Sequence, residues 1–206
     1  MNFNRIHRSV VASLVVLLYA AAPALATVSL TLSDNDATPG FKLIGAGESL
    51  NFTVRLTATS ESTAGVDYYL TTPNGSGFFR ITDRNTAGGM YNDPLYFTDT
   101  TVESSPSNIL NPRNDNDLGG LATSTLPPST GNGYLVANYT ILVDPATPNG
   151  TYTINTTVAN ANEGWIDGSS GEHPFNNHGT FTIQVPEPAA GFFMAMFAAG
   201  LIRRRR

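Results

Sequence analysis

The chain contains no cysteine. That absence excludes disulfides, a lipobox, a thiol nucleophile and thiolate metal sites. Without disulfides, this fold must hold by burial and hydrogen bonding alone. Positive charge is almost as scarce. Six of the eleven basic residues lie at the two ends: Arg5, Arg8 and Arg203 to Arg206. The middle keeps only Lys42, Arg55, Arg80, Arg84 and Arg113 against fifteen acids, a net of −10. Such a surface repels phosphate backbones, which argues against nucleic-acid binding. The acids form no block, so an acidic disordered tail is not indicated. A Gly-x-Ser-x-Gly elbow, a His-Glu-x-x-His pair and a phosphate loop are also missing, so no enzyme is predicted. Between the ends no stretch sustains a helical apolar period.

What is present begins with the two ends. Arg5 and Arg8 precede an apolar run from Val10 to Ala22, followed by Pro23 and Ala24-Leu25-Ala26. That order is a secretory signal peptide with cleavage expected before Thr27. The run is short of the roughly 20 apolar residues that a spanning helix needs; an uncleaved anchor is the alternative. At the other end, Val185-Pro186-Glu187-Pro188 breaks the chain, and Ala189 to Ile202 is free of charge. Four arginines follow: Arg203, Arg204, Arg205 and Arg206. A helix over the apolar part reaches about 21 Å at 1.5 Å per residue, against a bilayer core of about 30 Å. It spans only by snorkelling and bilayer thinning. The arginines stay cytoplasmic by the positive-inside rule, which places everything before Pro186 outside.

Pro186-Glu187-Pro188, a short apolar helix and a terminal arginine cluster resemble the PEP-CTERM sorting signal, over Val185 to Arg206. The resemblance implies an inner-membrane precursor, processing by an exosortase after signal peptidase, and delivery to the cell surface or an exopolysaccharide matrix. An ordinary tail anchor with a proline hinge is the alternative.

The region 27–185 is predicted to be one domain, between a signal peptide at 1–26 and a sorting tail at 186–206. It is rich in Thr, Asn, Gly and Ser. Short runs alternate with period two, as half-buried strands require. The inward sets are Leu50, Phe52, Val54 and Leu56; Leu135, Ala137, Tyr139, Ile141 and Val143; Tyr152, Ile154 and Val158; and Phe181, Ile183 and Val185. Further strands are expected at Val28 to Leu32, Gly65 to Thr71, Gly77 to Thr82 and Tyr91 to Thr98. Turn signals at Pro39-Gly40, Pro73-Asn74-Gly75, Gly88-Gly89 and Pro148-Asn149-Gly150 separate them. The pattern predicts an all-β fold, a single antiparallel β-sandwich of eight or nine strands. It is flanked by the N-terminal signal helix and a short C-terminal transmembrane helix. Thr100 to Gly133 shows little strand pattern and is read as a functional loop or an insertion. Gly47 to Val54, Gly65 to Leu70 and Gly150 to Ile154 resemble strands of cohesin-like and carbohydrate-binding jelly rolls. The resemblance implies a glycan or protein partner without naming the face that binds it.

Candidate chemistry is sparse. Asp34-Asn35-Asp36 and Asn114-Asp115-Asn116-Asp117 are the densest oxygen clusters. Calcium takes six to eight oxygens, so Asp115 and Asp117 are the candidate metal ligands; the alternative is a turn. His173 and His178, five apart on a loop, could hold a metal by spacing, but no third ligand is evident, and a surface loop is the competing reading. Trp165 is the candidate glycan contact, with a core cap as the competing reading. In Tyr68-Tyr69 and Phe78-Phe79 one ring of each pair must face the core. The expected role is a non-enzymatic surface or matrix protein, with a cohesin-like or carbohydrate-binding module as the alternative and a secreted hydrolase third.

Overall fold

The computed structural model describes residues 27–34, 41–75, 77–92, 109–114 and 117–187. The signal segment, Asn35-Asp36, Asp115 and the tail from Pro188 to Arg206 lie outside them. The described residues are all-β.

One layer is a four-stranded sheet in the order β1 (Val28–Asp34), β3 (Ser49–Ala58), β8 (Tyr134–Val143), β6 (Phe79–Asn85). All its pairings are antiparallel. The second layer is built of two four-stranded sheets. One runs β2 (Phe41–Leu43), β12 (Thr180–Val185), β9 (Gly150–Thr157), β5 (Tyr69–Thr71). The other runs β11 (Glu172–Pro174), β10 (Gly164–Asp167), β4 (Thr63–Val66), β7 (Gly120–Leu126). Strands β4 and β5 are separated by two residues and step from one small sheet to the other, and β9 leads to β10 through a turn at 158–163, crossing between the same two sheets.

The expected alternation positions the core. Leu50, Phe52, Val54 and Leu56 are all buried, as are Ala137, Tyr139, Ile141 and Val143. Leu135 and Val158, expected inward, are half-buried; Val136 is buried in place of Leu135, next to the register shift against β3. Phe52 stacks on Tyr139 within its sheet and on Phe181 across the layers, with centroids 5.5 and 6.3 Å apart. Phe79 meets Tyr152 edge-on at 5.2 Å. Each such fully buried side chain contributes about 1.5–3 kcal/mol. One ring of each doublet turns inward: Tyr68 and Phe79 are fully buried, Tyr69 and Phe78 half-buried.

Four expectations need correction. There are twelve strands among the described residues, where eight or nine were expected. Short β2, β10 and β11 carry too few residues for an alternation to register. β12 pairs with β2 in parallel, so the sandwich is not purely antiparallel. Gly65 to Thr71 is two strands, because Asp67 and Tyr68 leave the ladder at the step between sheets. Thr100 to Gly133 contains β7, and Leu110, Asn114 and Leu118 ahead of it are buried. The strand expected at Tyr91 to Thr98 falls mostly on residues outside the description; Tyr91 is a buried non-strand residue whose hydroxyl bonds Thr63 Oγ1 at 2.5 Å.

Candidate functional site

The densest polar chemistry sits at the step between the two small sheets. A register shift in β6 between Ile81 and Asp83 turns Arg84 inward, opposite Tyr139. Its guanidinium is buried. Nε donates to Tyr139 Oη at 3.0 Å, and Nη2 donates to the carbonyls of Leu118 at 2.7 Å and Gly119 at 3.1 Å. Tyr139 Oη in turn lies 2.7 Å from Tyr68 Oη. Burial holds both phenols above their ordinary range, so both remain neutral.

Next to this network Asp67 and Asp117 share a hydrogen bond. Burial raises Asp117 as well, but donors oppose it. Asp117 Oδ1 accepts the backbone amides of Gly119 at 2.7 Å and Tyr68 at 3.4 Å. These donors, with Arg84 beyond them, favour its charged form. Asp67 has no such support. Its Oδ1 is buried without a hydrogen-bond donor. Burial first, then the neighbouring Asp117, push Asp67 up to about 7. Asp67 therefore carries the proton that the pair shares. On the solvent side, the Arg113 guanidinium lies over the Tyr69 ring at 4.2 Å. Both side chains are half-buried. Leu70 N donates to Asn114 Oδ1 at 2.9 Å, and Thr72 N donates to the Pro112 carbonyl at 2.7 Å, which fixes this segment against β5.

The residues expected from sequence fall in different places. Asp117 belongs to the carboxyl pair; Asp115 lies outside the described residues. Among the described residues no three His, Asp or Glu side chains converge as a metal group. Asp67 and Asp117 supply two carboxylates, short of the six to eight oxygens calcium takes. Asp34, in the other oxygen cluster, is buried, with Lys42 Nζ 3.9 Å from its carboxylate. Trp165 is 6% exposed. It lies opposite buried Val66, donates Nε1–H to the Pro174 carbonyl at 3.2 Å and stacks on His173 at 4.5 Å. The indole is therefore a core cap and not an open platform for a sugar. His173 and His178 have separate partners. His173 Nε2 lies 2.9 Å from Asp167 Oδ2, while His178 Nδ1 lies 3.4 Å from Thr156 Oγ1. The His173 contact, then the amides of Gly171 and Ser169, hold the Asp167 carboxyl below its usual range. Burial lowers His178. Pro186 and Glu187 are exposed just beyond β12, and Glu187 Oε1 accepts from Asn149 Nδ2 at 3.3 Å. Pro188 and Arg203 to Arg206 lie outside the description.

Alternation could not have revealed Arg84, because a bulge reverses the phase of β6 after Ile81. Asp67 was invisible for a related reason: nothing local marks the step between sheets.

The fold has counterparts among solved structures. CaCohA2 of Clostridium acetobutylicum matches with a TM-score of 0.51 at 12% identity, covering 77% of this chain and 90% of that one. The fold is cohesin-like. A cohesin from Clostridium thermocellum, solved in a type I cohesin–dockerin complex, gives 0.48 at 14% identity over 78% of this chain and 99% of that one. The cohesin module of a family 33 glycoside hydrolase from Clostridium perfringens gives 0.47 at 10%, over 79% and 99%. No family model and no curated protein matches the chain. At these identities the likeness establishes the fold alone.

Proposed function

We propose that this chain is a non-enzymatic, exported binding module that holds a protein partner at the cell surface. The reading is supported by the cohesin-like fold together with the Tyr69–Arg113 stack at the sheet step. CaCohA2 is also described in a complex with CaDoc0917, and only the class of partner, a protein, is carried over from it. Tyrosine and arginine are among the side chains most enriched at interface hot spots, because each joins a large contact area to hydrogen-bonding ends. Here the two are pre-stacked and half-exposed, so little side-chain freedom is lost on binding. Delivery is the second part of the proposal. Signal peptidase removes the first 26 residues, and an exosortase reads Pro186, Glu187 and Pro188 ahead of the arginine cluster.

The test is photocrosslinking in the native host, from a benzoylphenylalanine placed at Tyr69 and, separately, at exposed Thr180 on β12. A protease-sensitive adduct from position 69 and not from position 180 is expected. No adduct at 69, or equal adducts from both positions, removes the protein-binding reading.

A further inference from the structure

A second concave site lies on the other layer. Thr31 and Ser33 of β1, Arg55 and Thr57 of β3, and Asn132 of the β7–β8 loop line a cavity of about 370 Å³. That volume is within the range of small-ligand pockets, about 300–1,000 Å³. Its chemistry is unlike most of them. Its lining residues carry three hydroxyls, a carboxamide and one guanidinium, and none of them is a large apolar residue; the Thr31 hydroxyl also donates to the Arg55 carbonyl at 3.4 Å.

Local structure explains why Arg55 stands there. A register shift between Val54 and Arg55 leaves Val54 opposite Ala137 and Arg55 opposite Leu135. On the far side Arg55 pairs with Thr31. Arg55 Nη1 donates to the Gly133 carbonyl at 3.4 Å, which orients the fork and leaves its other donors for a ligand. The loop is seated by close approach. Gly133 has φ +77°, and a Cβ there would lie 2.4 Å from Leu56 O and 2.8 Å from Thr57 Oγ1. Asn132, the neighbouring loop residue, lines the cavity.

We propose that this cavity binds a carboxylate-bearing sugar, one uronate residue of an acidic polysaccharide. A guanidinium fork matches a carboxylate in a bidentate fashion. The hydroxyls and carboxamide match the ring hydroxyls of a sugar, and the absence of an apolar anchor site disfavours a peptide. Charge complementarity carries the choice of an anion. Arg55 is the one charged residue lining this cavity among the described residues, so the attraction for an anion is local to it. Beyond it, Asn51 and Thr140 extend the same hydroxyl and carboxamide surface, with Thr140 Oγ1 donating to Asn51 Oδ1 at 2.7 Å. The site is on the opposite layer from Tyr69 and Arg113 and does not depend on the protein-binding reading.

The test is affinity electrophoresis of the full chain in gels cast with polygalacturonate or with neutral dextran. Retardation by polygalacturonate alone is expected. Arg55→Gln should weaken it about 10- to 100-fold, the weight of one charge-assisted hydrogen bond. Arg80→Gln makes the same change in net charge elsewhere on the sheet and should leave retardation unchanged. Arg55→Lys keeps the charge, loses the fork, and should weaken binding by a smaller factor; it also serves if the glutamine variant fails to fold. Equal retardation by dextran, or equal loss in the Arg55 and Arg80 variants, overturns the site. So does poly-glutamate competing as well as oligogalacturonate, which would assign the cavity to an acidic protein.

Discussion

Asp67 and Asp117 are the same residue type in one small space, and their surroundings separate them. Asp117 has the amides of Gly119 and Tyr68; Asp67 Oδ1 has no donor. A raised carboxyl in the folded state means that the native chain binds more protons than the unfolded chain between about 4 and about 7. Stability then falls as pH rises through that window, the reverse of the usual salt-bridged aspartate. Asp67→Asn removes the titration. The variant should flatten the decline in melting temperature between pH 4 and 7. Partial solvation screens the pair, so the gain at pH 8 should be about 2–4 °C, the shift that about 1 kcal/mol makes in a domain of this size. Thermal unfolding followed by circular dichroism across pH 4 to 8 decides it; a wild-type profile that rises from pH 4 to 7 would contradict the assignment. Sequence could name Asp117 as a candidate but not its partner, because the contact spans fifty positions and depends on where the chain changes sheets.

At the scale of elements, legibility followed length and two-sidedness. β3, β8, β9 and β12 were readable because each alternates buried residues with half-buried or exposed ones over six residues or more, broken in β8 at Val136-Ala137 and in β3 at Thr53. β7 was not, since only its end residues Gly120 and Leu126 are buried and the rest is half-buried or exposed. Its place is set by backbone approach. A Cβ on Gly119 would lie 1.9 Å from Val66 O and 2.6 Å from Asp67 Cα. The same residue offers its amide to Asp117 and its carbonyl to Arg84. Gly119→Ala must therefore push β7 off β4 and loosen the Arg84 network together. We expect a loss of about 1–3 kcal/mol, the cost of overpacking a close-packed site, read from urea unfolding. Gly77→Ala is the contrast: its Cβ position is open, so any loss there comes only from φ +84°. Equal losses from the two glycines, with no change in protection of the Gly119 amide against exchange, would remove the close-approach argument.

For the whole molecule, charge and topology divide the labour. Most of the cations lie in the end segments, and the two functional proposals fall on opposite layers of the sandwich. β12 ends at Val185, and Pro186 and Glu187 follow it as exposed residues. Glu187 touches the sandwich through Asn149, at the periphery. A peripheral, solvent-exposed hydrogen bond adds little to stability. Glu187→Gln should thus leave the melting temperature within about 1 °C of wild type. If Pro186-Glu187-Pro188 is a protease address, the same substitution should stop processing in the native host. The readout is the intact mass of the chain purified from that host. Wild type should lack both the first 26 residues and Arg203 to Arg206, whereas the Glu187 variant should retain the arginines and stay with the inner membrane. A wild-type mature form that still carries Arg203 to Arg206 would make the tail an ordinary anchor, and the proposed binding module would then act at the inner membrane instead of at the cell surface.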